Sequence, residues 1–212
     1  DNNRPCNTCT MMINLSHIHW TDKRGKATGA SSQVQVLPKR EEMTLSESKP
    51  SSQPISGAAL SAGMRLVIID GANFLYRAFF ALPPLRNSAG LPTNALLGVA
   101  NMLNKVLREE KPDAVVVVFD VPGKSFRHGL YPQYKAHREA MPEDLAAQIP
   151  AIRELIAAHR IPILEVAGVE ADDVIATLAR HAPRGVQRTI VSTDKDLMQL
   201  VGDDVELRDT MK

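Results

Sequence analysis

Cysteine is nearly absent from this chain of 212 residues: Cys6 and Cys9 are the only two, and they share one C-x-x-C. No disulfide framework can be built from them, so a reducing, intracellular compartment is expected. Long apolar runs are missing too. None approaches the roughly 18–20 residues that a membrane-spanning helix needs, and no membrane partner is expected. An excess of one charge is also lacking, since the formal net charge is +1. Any attraction to a polyanion must therefore be local rather than global. No internal repeat is present, and no Ser–His or Cys–His pairing suggests a covalent nucleophile. What remains is a chain that is 44% hydrophobic, long enough for one domain with a sizeable core and a tail.

The two parts differ in texture. Residues 1–63 are rich in Ser, Thr, Asn, Gln and Pro, with no sustained apolar period, and Ser46-Glu-Ser-Lys-Pro-Ser-Ser-Gln-Pro54 reads as linker. Such a composition buries too little apolar surface to offset the entropy of ordering, so this part is expected to be a disordered extension or non-native upstream sequence. Cys6, Cys9, His17 and His19 lack zinc-finger spacing and an apolar surround, and a zinc site is rejected. At Met64 the chain turns to Met-Arg-Leu-Val-Ile-Ile-Asp, and the domain is expected over 64–212. Seven basic and five acidic residues precede Met64; taken from the chain's 25 and 24, they leave the domain at net −1.

Within the domain, short β-branched runs alternate with helical patterns. Residues 66–69 and 114–119 are continuous apolar runs, as in strands buried on both faces; 162–166 and 189–192 are weaker copies. Leu96, Val99, Leu103 and Val106, and then Ile149, Ile152, Leu155 and Ile156, recur at helical spacing. The alternation predicts an α/β fold: a central, parallel-type sheet with helices on both faces.

Carboxylates follow every predicted strand. Asp70 ends the first and Asp120 the second; Glu170, Asp172 and Asp173 follow the third, and Asp194 and Asp196 the fourth. In an open parallel sheet the carboxyl ends of the strands share one edge, where ligands bind. Each acid alone has an ordinary explanation: turn former, helix-dipole partner or N-cap. Seven on one rim cannot all stay ionised and close without counter-charge, and hard divalent cations, Mg²⁺ or Mn²⁺, supply it.

The most basic stretch of the domain, 123–138, comes straight after Asp120. It carries Lys124, Arg127, Lys135 and Arg138 interleaved with Phe126, Tyr131 and Tyr134. Cations suit phosphates and aromatic rings stack on bases, so this stretch is a candidate nucleic-acid contact. A helical run would stack Arg127, Tyr131 and Lys135 on one side, unless Pro132 interrupts it. Arg77, about two turns into the helix opened by Asp70-Gly-Ala-Asn, is a further candidate phosphate contact.

Taken in order, Val-Ile-Ile-Asp-Gly-Ala-Asn-Phe-Leu-Tyr-Arg-Ala-Phe, Val-Val-Phe-Asp, Ser-Phe-Arg-His, Tyr-Lys-Ala-His-Arg, Val-Glu-Ala-Asp-Asp-Val and Ser-Thr-Asp-Lys-Asp-Leu resemble the 5′-nuclease domain of bacterial DNA polymerase I, of the flap-endonuclease superfamily. The resemblance covers about 64–212 and implies a PIN-like fold and hydrolysis of phosphodiesters near DNA 5′ ends, at flaps, nicks or RNA primers. It also implies two Mg²⁺ or Mn²⁺ ions, the first on Asp70, Asp120, Glu170 and Asp172, the second on Asp173, Asp194 and Asp196. Arg77, Arg127, Lys135 and Arg138 match positions that contact the scissile phosphate or the threaded strand, and the resemblance implies that the segment between Asp120 and the third strand arches over the site. Arg77, Arg127 and Lys135 are the catalytic candidates; with Lys124, Phe126, Tyr131, Tyr134 and Arg138 they form the DNA-contacting set. The resemblance further implies a monomer in the bacterial cytoplasm, associated with the nucleoid, and a polymerase domain in the same full-length chain. Family members continue into a helix-hairpin-helix element and further aspartates, so this chain is expected to represent the N-terminal portion.

Two other readings use the same residues. A PIN/NYN-type ribonuclease shares the early Asp-Gly-x-Asn and an acidic rim, but the basic segment and the Glu-Ala-Asp-Asp run favour the DNA nuclease. A DNA-binding fragment without catalysis is the other. A two-metal phosphatase of the Asp-x-Asp type is disfavoured, since Ala72 stands at the second position.

Overall fold

The computed structural model describes residues 60–210 other than Arg138. The expectations for the polar tail up to residue 59, including the Cys6–Cys9 pair, lie outside the described residues, as do Met211 and Lys212.

Five strands build one parallel sheet: β1 (Arg65–Asp70), β2 (Ala114–Phe119), β3 (Ile163–Glu165), β4 (Gln187–Val191) and β5 (Val205–Arg208), in the order β3-β2-β1-β4-β5. Among the described residues six helices accompany it: α1 (Gly71–Ala81), α2 (Asn94–Glu110), α3 (Phe126–Leu130), α4 (Glu143–Ala146), α5 (Ile149–Ala158) and α6 (Ala171–His181), with a 3-10 helix over Lys195–Leu200. The four expected strands are present, and β5 is an addition. Its Val-Glu-Leu-Arg alternates half-buried and exposed residues, the pattern of a short edge strand rather than of a doubly buried run.

The period of two in β1 divides the core. Leu66 and Ile68 face one side, where they pack with Val116, Val118, Val174, Ile175 and Leu178 beneath α6. Val67 and Ile69 face the other, against Phe74, Leu75, Val99, Leu103 and Ile152 of α1, α2 and α5. Two glycines permit close approach on that second side. A side chain on Gly71 would run into the Phe119 ring, and one on Gly98 would lie 2.8 Å from the Ala78 carbonyl oxygen. The described backbone begins four residues before Met64, and Leu60 packs against the first core cluster. Gly63 donates its N–H to the Gly185 carbonyl at 2.8 Å. Among the described residues, no helix is long and apolar enough to cross a membrane.

The strand order sets the location of the site. From β1 the chain steps outward through β2 to β3, then returns to the other side of β1 for β4 and β5. Neighbouring connections therefore leave the β1–β4 seam on opposite faces, opening a crevice at the carboxyl ends of those strands, where α/β proteins bind ligands.

Candidate metal and nucleic-acid site

The acids at this edge are positioned by backbone N–H groups. Asp70, the last residue of β1, caps α1: its Oδ1 accepts the Asn73 N–H at 3.1 Å, and its Oδ2 accepts the Ser192 hydroxyl at 2.8 Å. Asp120, just past β2, accepts the N–H of Ala171 at 2.7 Å and so ties the end of β2 to the start of α6. Asp172 lies in the first turn of α6. Asp194 caps the 3-10 helix, accepting the Asp196 N–H at 2.9 Å.

These four carboxylates act on one another. Burial is the largest influence on Asp70 and lifts its pKa above the ordinary value, against the bonds from Asn73 and Ser192; the charges of Asp194 and Asp120 push the same way. Asp172 is pushed up to about 6, by burial first and then by Asp70, Asp194 and Asp120. They form one group of like charges whose shared electrostatic demand is for a cation. Among the described residues, no three of the acids close into a finished coordination shell.

Glu170 and Asp173 stand in different company. Arg127 forks onto Asp173, with Nη1 at 2.6 Å and Nη2 at 2.8 Å from its two oxygens, and Nη1 lies 3.4 Å from Glu170. Glu170 also meets Lys135 Nζ at 3.1 Å, and it accepts the Tyr134 hydroxyl at 3.0 Å and the Ser125 hydroxyl at 3.2 Å. The Arg127 bonds hold the Asp173 carboxyl below its ordinary pKa and raise that of Arg127. For Glu170, burial is the largest single influence and acts upward, but Lys135, Tyr134 and Arg127 together outweigh it and lower the pKa. The N-terminus of α6 is closed by these same two acids: the Asp173 carboxylate accepts the Glu170 N–H at 3.1 Å in a capping box.

The basic segment is thus folded down onto the acids, though not as one helix. After α3 ends at Leu130 the chain runs through turns, because Pro132 cannot continue the hydrogen-bond ladder. The expected stack of Arg127, Tyr131 and Lys135 does not form. Tyr131 is 56% exposed and donates its hydroxyl to Gln133, while Arg127 and Lys135 meet on Glu170 from separate turns. Lys135 adopts a left-handed backbone with φ of 56°, a costly conformation for a residue with a side chain.

The other candidate residues fall in several places. Phe126 is half exposed, with the Arg127 guanidinium 4.7 Å from its ring centroid, and Lys124 is exposed. Arg77 pairs with Asp209 at 2.7 Å. Asp196 is exposed on the 3-10 helix. Arg138 lies outside the described residues. Ser125, His128 and Ser192 drew no role from the sequence. Ser125 and His128 cap α3 reciprocally, at the three-residue spacing of a capping box, which was the available signal. Ser192 offered none beyond its place next to the Thr-Asp-Lys-Asp run.

The site thus joins a five-stranded parallel sheet carrying acids at its switch point to a basic segment whose Arg127 and Lys135 fold onto Asp173 and Glu170, in an α/β domain. The comparisons narrow the class. The chain belongs to the family of the 5'-3' exonuclease N-terminal resolvase-like domain, whose model matches residues 65–212. It is 49% identical over 141 residues to a 5'-3' exonuclease of Aquifex aeolicus, covering 66% of this chain and 49% of that protein. It is 48% identical over 164 residues to a DNA polymerase I of Rhizobium leguminosarum, covering 73% of this chain and 16% of that one. The chain therefore spans about half the length of the first relative and a small fraction of the second. In fold it is similar to the bacteriophage T5 D15 protein, co-crystallized with metal ions, with a TM-score of 0.54 at 22% identity over 68% of this chain and 54% of that one.

Proposed function

We propose that this domain hydrolyses phosphodiester bonds near DNA 5′ ends, at flaps, nicks or RNA primers, with divalent cations, as the 5′-nuclease part of a DNA polymerase I. One observation carries the reading: four mutually repelling carboxylates gather at the sheet's switch point, and a basic, aromatic segment folds onto Glu170 and Asp173 beside them.

The donor set fits a hard cation. It is made of carboxylate oxygens, which suit Mg²⁺ or Mn²⁺, with no thiolate among them to favour softer metals. Asp70, Asp120 and Asp172 would hold the first cation, and the raised pKa values of Asp70 and Asp172 fall when positive charge arrives. Glu170, released from Lys135, would join that first site, and Asp173, released from Arg127, would form a second with Asp194 and Asp196. Bound there, such cations supply Lewis-acid polarisation of a phosphate and hydroxide at neutral pH.

The chain's own side chains account for binding and orientation. Arg127 and Lys135 exchange their carboxylates for the phosphate of the substrate, a charge-for-charge substitution that places two cations where negative charge builds during hydrolysis. Phe126 and Tyr131, exposed on the same segment, offer ring faces to unpaired bases. Lys124, exposed at the start of the segment, would extend the phosphate track, and Arg77 and Arg138 are further candidate contacts from the sequence pattern. The reading includes a monomer acting on DNA in the bacterial cytoplasm.

The test is cleavage of a labelled 5′-flap DNA duplex in Mg²⁺, Mn²⁺ or EDTA, beside plain single-stranded RNA. Flap cleavage that needs the cation and is abolished in Asp120→Ala, with DNA binding largely kept, is the expected result. Preference for the RNA would favour a ribonuclease, and binding without cleavage in either metal would favour a DNA-binding fragment. Wild-type rates in a nuclease-free Asp120→Ala preparation would overturn the metal assignment.

A further inference from the structure

Ser192 joins two acids that reach the switch point from different strands. It follows Val191, the last residue of β4 and the register partner of Ile69, so the ladder places it beside Asp70 across the β1–β4 seam. The residue is only 3% exposed. Its hydroxyl donates to Asp70 Oδ2 at 2.8 Å, and its oxygen accepts the backbone N–H of Asp194 at 3.0 Å. A hydroxyl has one proton, and an ionised carboxylate only accepts, so these two bonds fix which way the hydroxyl points. The other Asp70 oxygen is held by the Asn73 N–H. The carboxylate is thus restrained at both oxygens, and the Asp194 turn is anchored to the same group. A second clamp lies alongside: Asn73 Nδ2 donates to Thr193 Oγ1 at 2.9 Å, and the Thr193 N–H donates to Asn73 Oδ1 at 3.3 Å.

We propose that Ser192 is a positioning residue for cation binding, its hydroxyl setting the rotation of the Asp70 carboxylate and the path of the Asp194 turn so that both are presented together to a divalent cation. The inference rests on the metal reading above and deepens it. A serine in the middle of a buried seam would otherwise be a poor choice, since Ala or Val fills such a place without a polar atom to satisfy. Here the hydroxyl both donates and accepts, and both of its partners belong to the acidic rim.

The test is Mn²⁺ affinity, read by electron paramagnetic resonance of the free ion, together with the melting temperature, for the whole chain and four variants. Ser192→Ala is expected to weaken Mn²⁺ binding by about 10- to 100-fold, the usual effect of losing a group that orients a ligand, whereas Ser192→Thr, which keeps the hydroxyl, stays within about threefold. Thr189→Ala is the control for ordinary destabilisation: that buried residue lies on β4, the strand that Ser192 follows, and its hydroxyl donates to Glu206. It is expected to melt lower with Mn²⁺ affinity unchanged. Affinity in Ser192→Ala equal to wild type, or an equal loss in Thr189→Ala, would overturn the proposal. If Ser192→Ala does not fold, Ser192→Cys carries the test, being close in size with a weaker donor; unchanged affinity there overturns it as well. A wild-type chain that binds no Mn²⁺ would instead remove the metal reading itself, an outcome distinct from the loss of a Ser192 effect.

Discussion

Replacing Asp172 by asparagine should stabilise the metal-free protein, and the effect should depend on pH in a defined direction. Burial and three neighbouring aspartates raise the Asp172 pKa from 3.8 to about 6. The folded protein therefore binds this proton more tightly than the unfolded chain does. The stability associated with it is highest when the group is protonated, declines as pH rises from about 4 to about 6, and is fully lost above that. A displacement of that size corresponds to about 3 kcal/mol at neutral pH if taken whole. Asp172 is half-buried, so solvent screening reduces this to about 1–2 kcal/mol. The charge also lies in the first turn of α6, where it interacts favourably with the helix dipole, and losing that returns about 0.3–1 kcal/mol. The net expectation for Asp172→Asn is a gain of about 1 kcal/mol at pH 7.5 in EDTA. For a domain of this size that raises the melting temperature by about 2–4 °C. Scanning calorimetry in EDTA at pH 4 and pH 7.5 measures it, with no gain expected at the lower pH. Adding Mn²⁺ should erase or reverse the advantage at pH 7.5, since the cation removes the repulsion that the variant relieves. A variant no more stable than wild type at pH 7.5, or equally advantaged at both pH values, would refute the coupling of the four acids.

Arg127→Met should destabilise the metal-free protein by about 1–2 kcal/mol at neutral pH, because the half-buried Asp173 loses a bidentate partner. Asp173 is held below its ordinary pKa, so this stabilisation exists above that value and fades as pH falls through the lowered one; the gap between variant and wild type in urea melts should close in acid. Lys135→Ala should slow flap cleavage by about 10²–10³-fold in turnover if Lys135 meets the developing phosphate charge. Lys135→Gly should match it in rate yet be about 0.5–1 kcal/mol more stable by urea titration, since glycine adopts the φ of 56° without strain. Gly98→Ala should cost about 1–3 kcal/mol in the same assay, as the added methyl would lie 2.8 Å from the Ala78 carbonyl oxygen between α1 and α2.

The doubly buried strands were the most legible part of the fold. Leu66-Val-Ile-Ile and the valine run of β2 have no polar alternation, which only a sheet covered on both faces tolerates, and the two faces do carry separate cores. β5 escaped because an edge strand needs only one partner and one dry face. Its Val205 and Leu207 look no different from loop residues when their neighbours Glu206 and Arg208 are charged. The turn structure after α3 was legible in one residue, Pro132, whose missing N–H ends the helix that the spacing of Arg127, Tyr131 and Lys135 suggested.

The acidic rim shows where a linear reading stops. That acids follow four parallel strands implies one shared edge, and for Asp70, Asp120, Asp172 and Asp194 the mutual charge effects place them together there. Which acid has which counter-charge does not follow from spacing alone. Asp172 and Asp173 are adjacent, and about 100° of helical rotation separates their side chains. That rotation sends one toward the three aspartates and the other onto Arg127, so consecutive residues have pKa values displaced in opposite directions. Arg127 lies 46 residues earlier in the chain than Asp173, and Lys135 lies 35 earlier than Glu170. Neither pair is at a spacing that local geometry governs. Asp120 binds the start of α6 and the Phe126 N–H bonds the Gly168 carbonyl at 2.8 Å, which together bring the beginning of the basic segment to the N-terminus of that helix. The place of Glu170 and Asp173 is thus set by contacts between loops distant in sequence. It should survive Arg127→Met, whereas the counter-charge that holds the Asp173 pKa down should not.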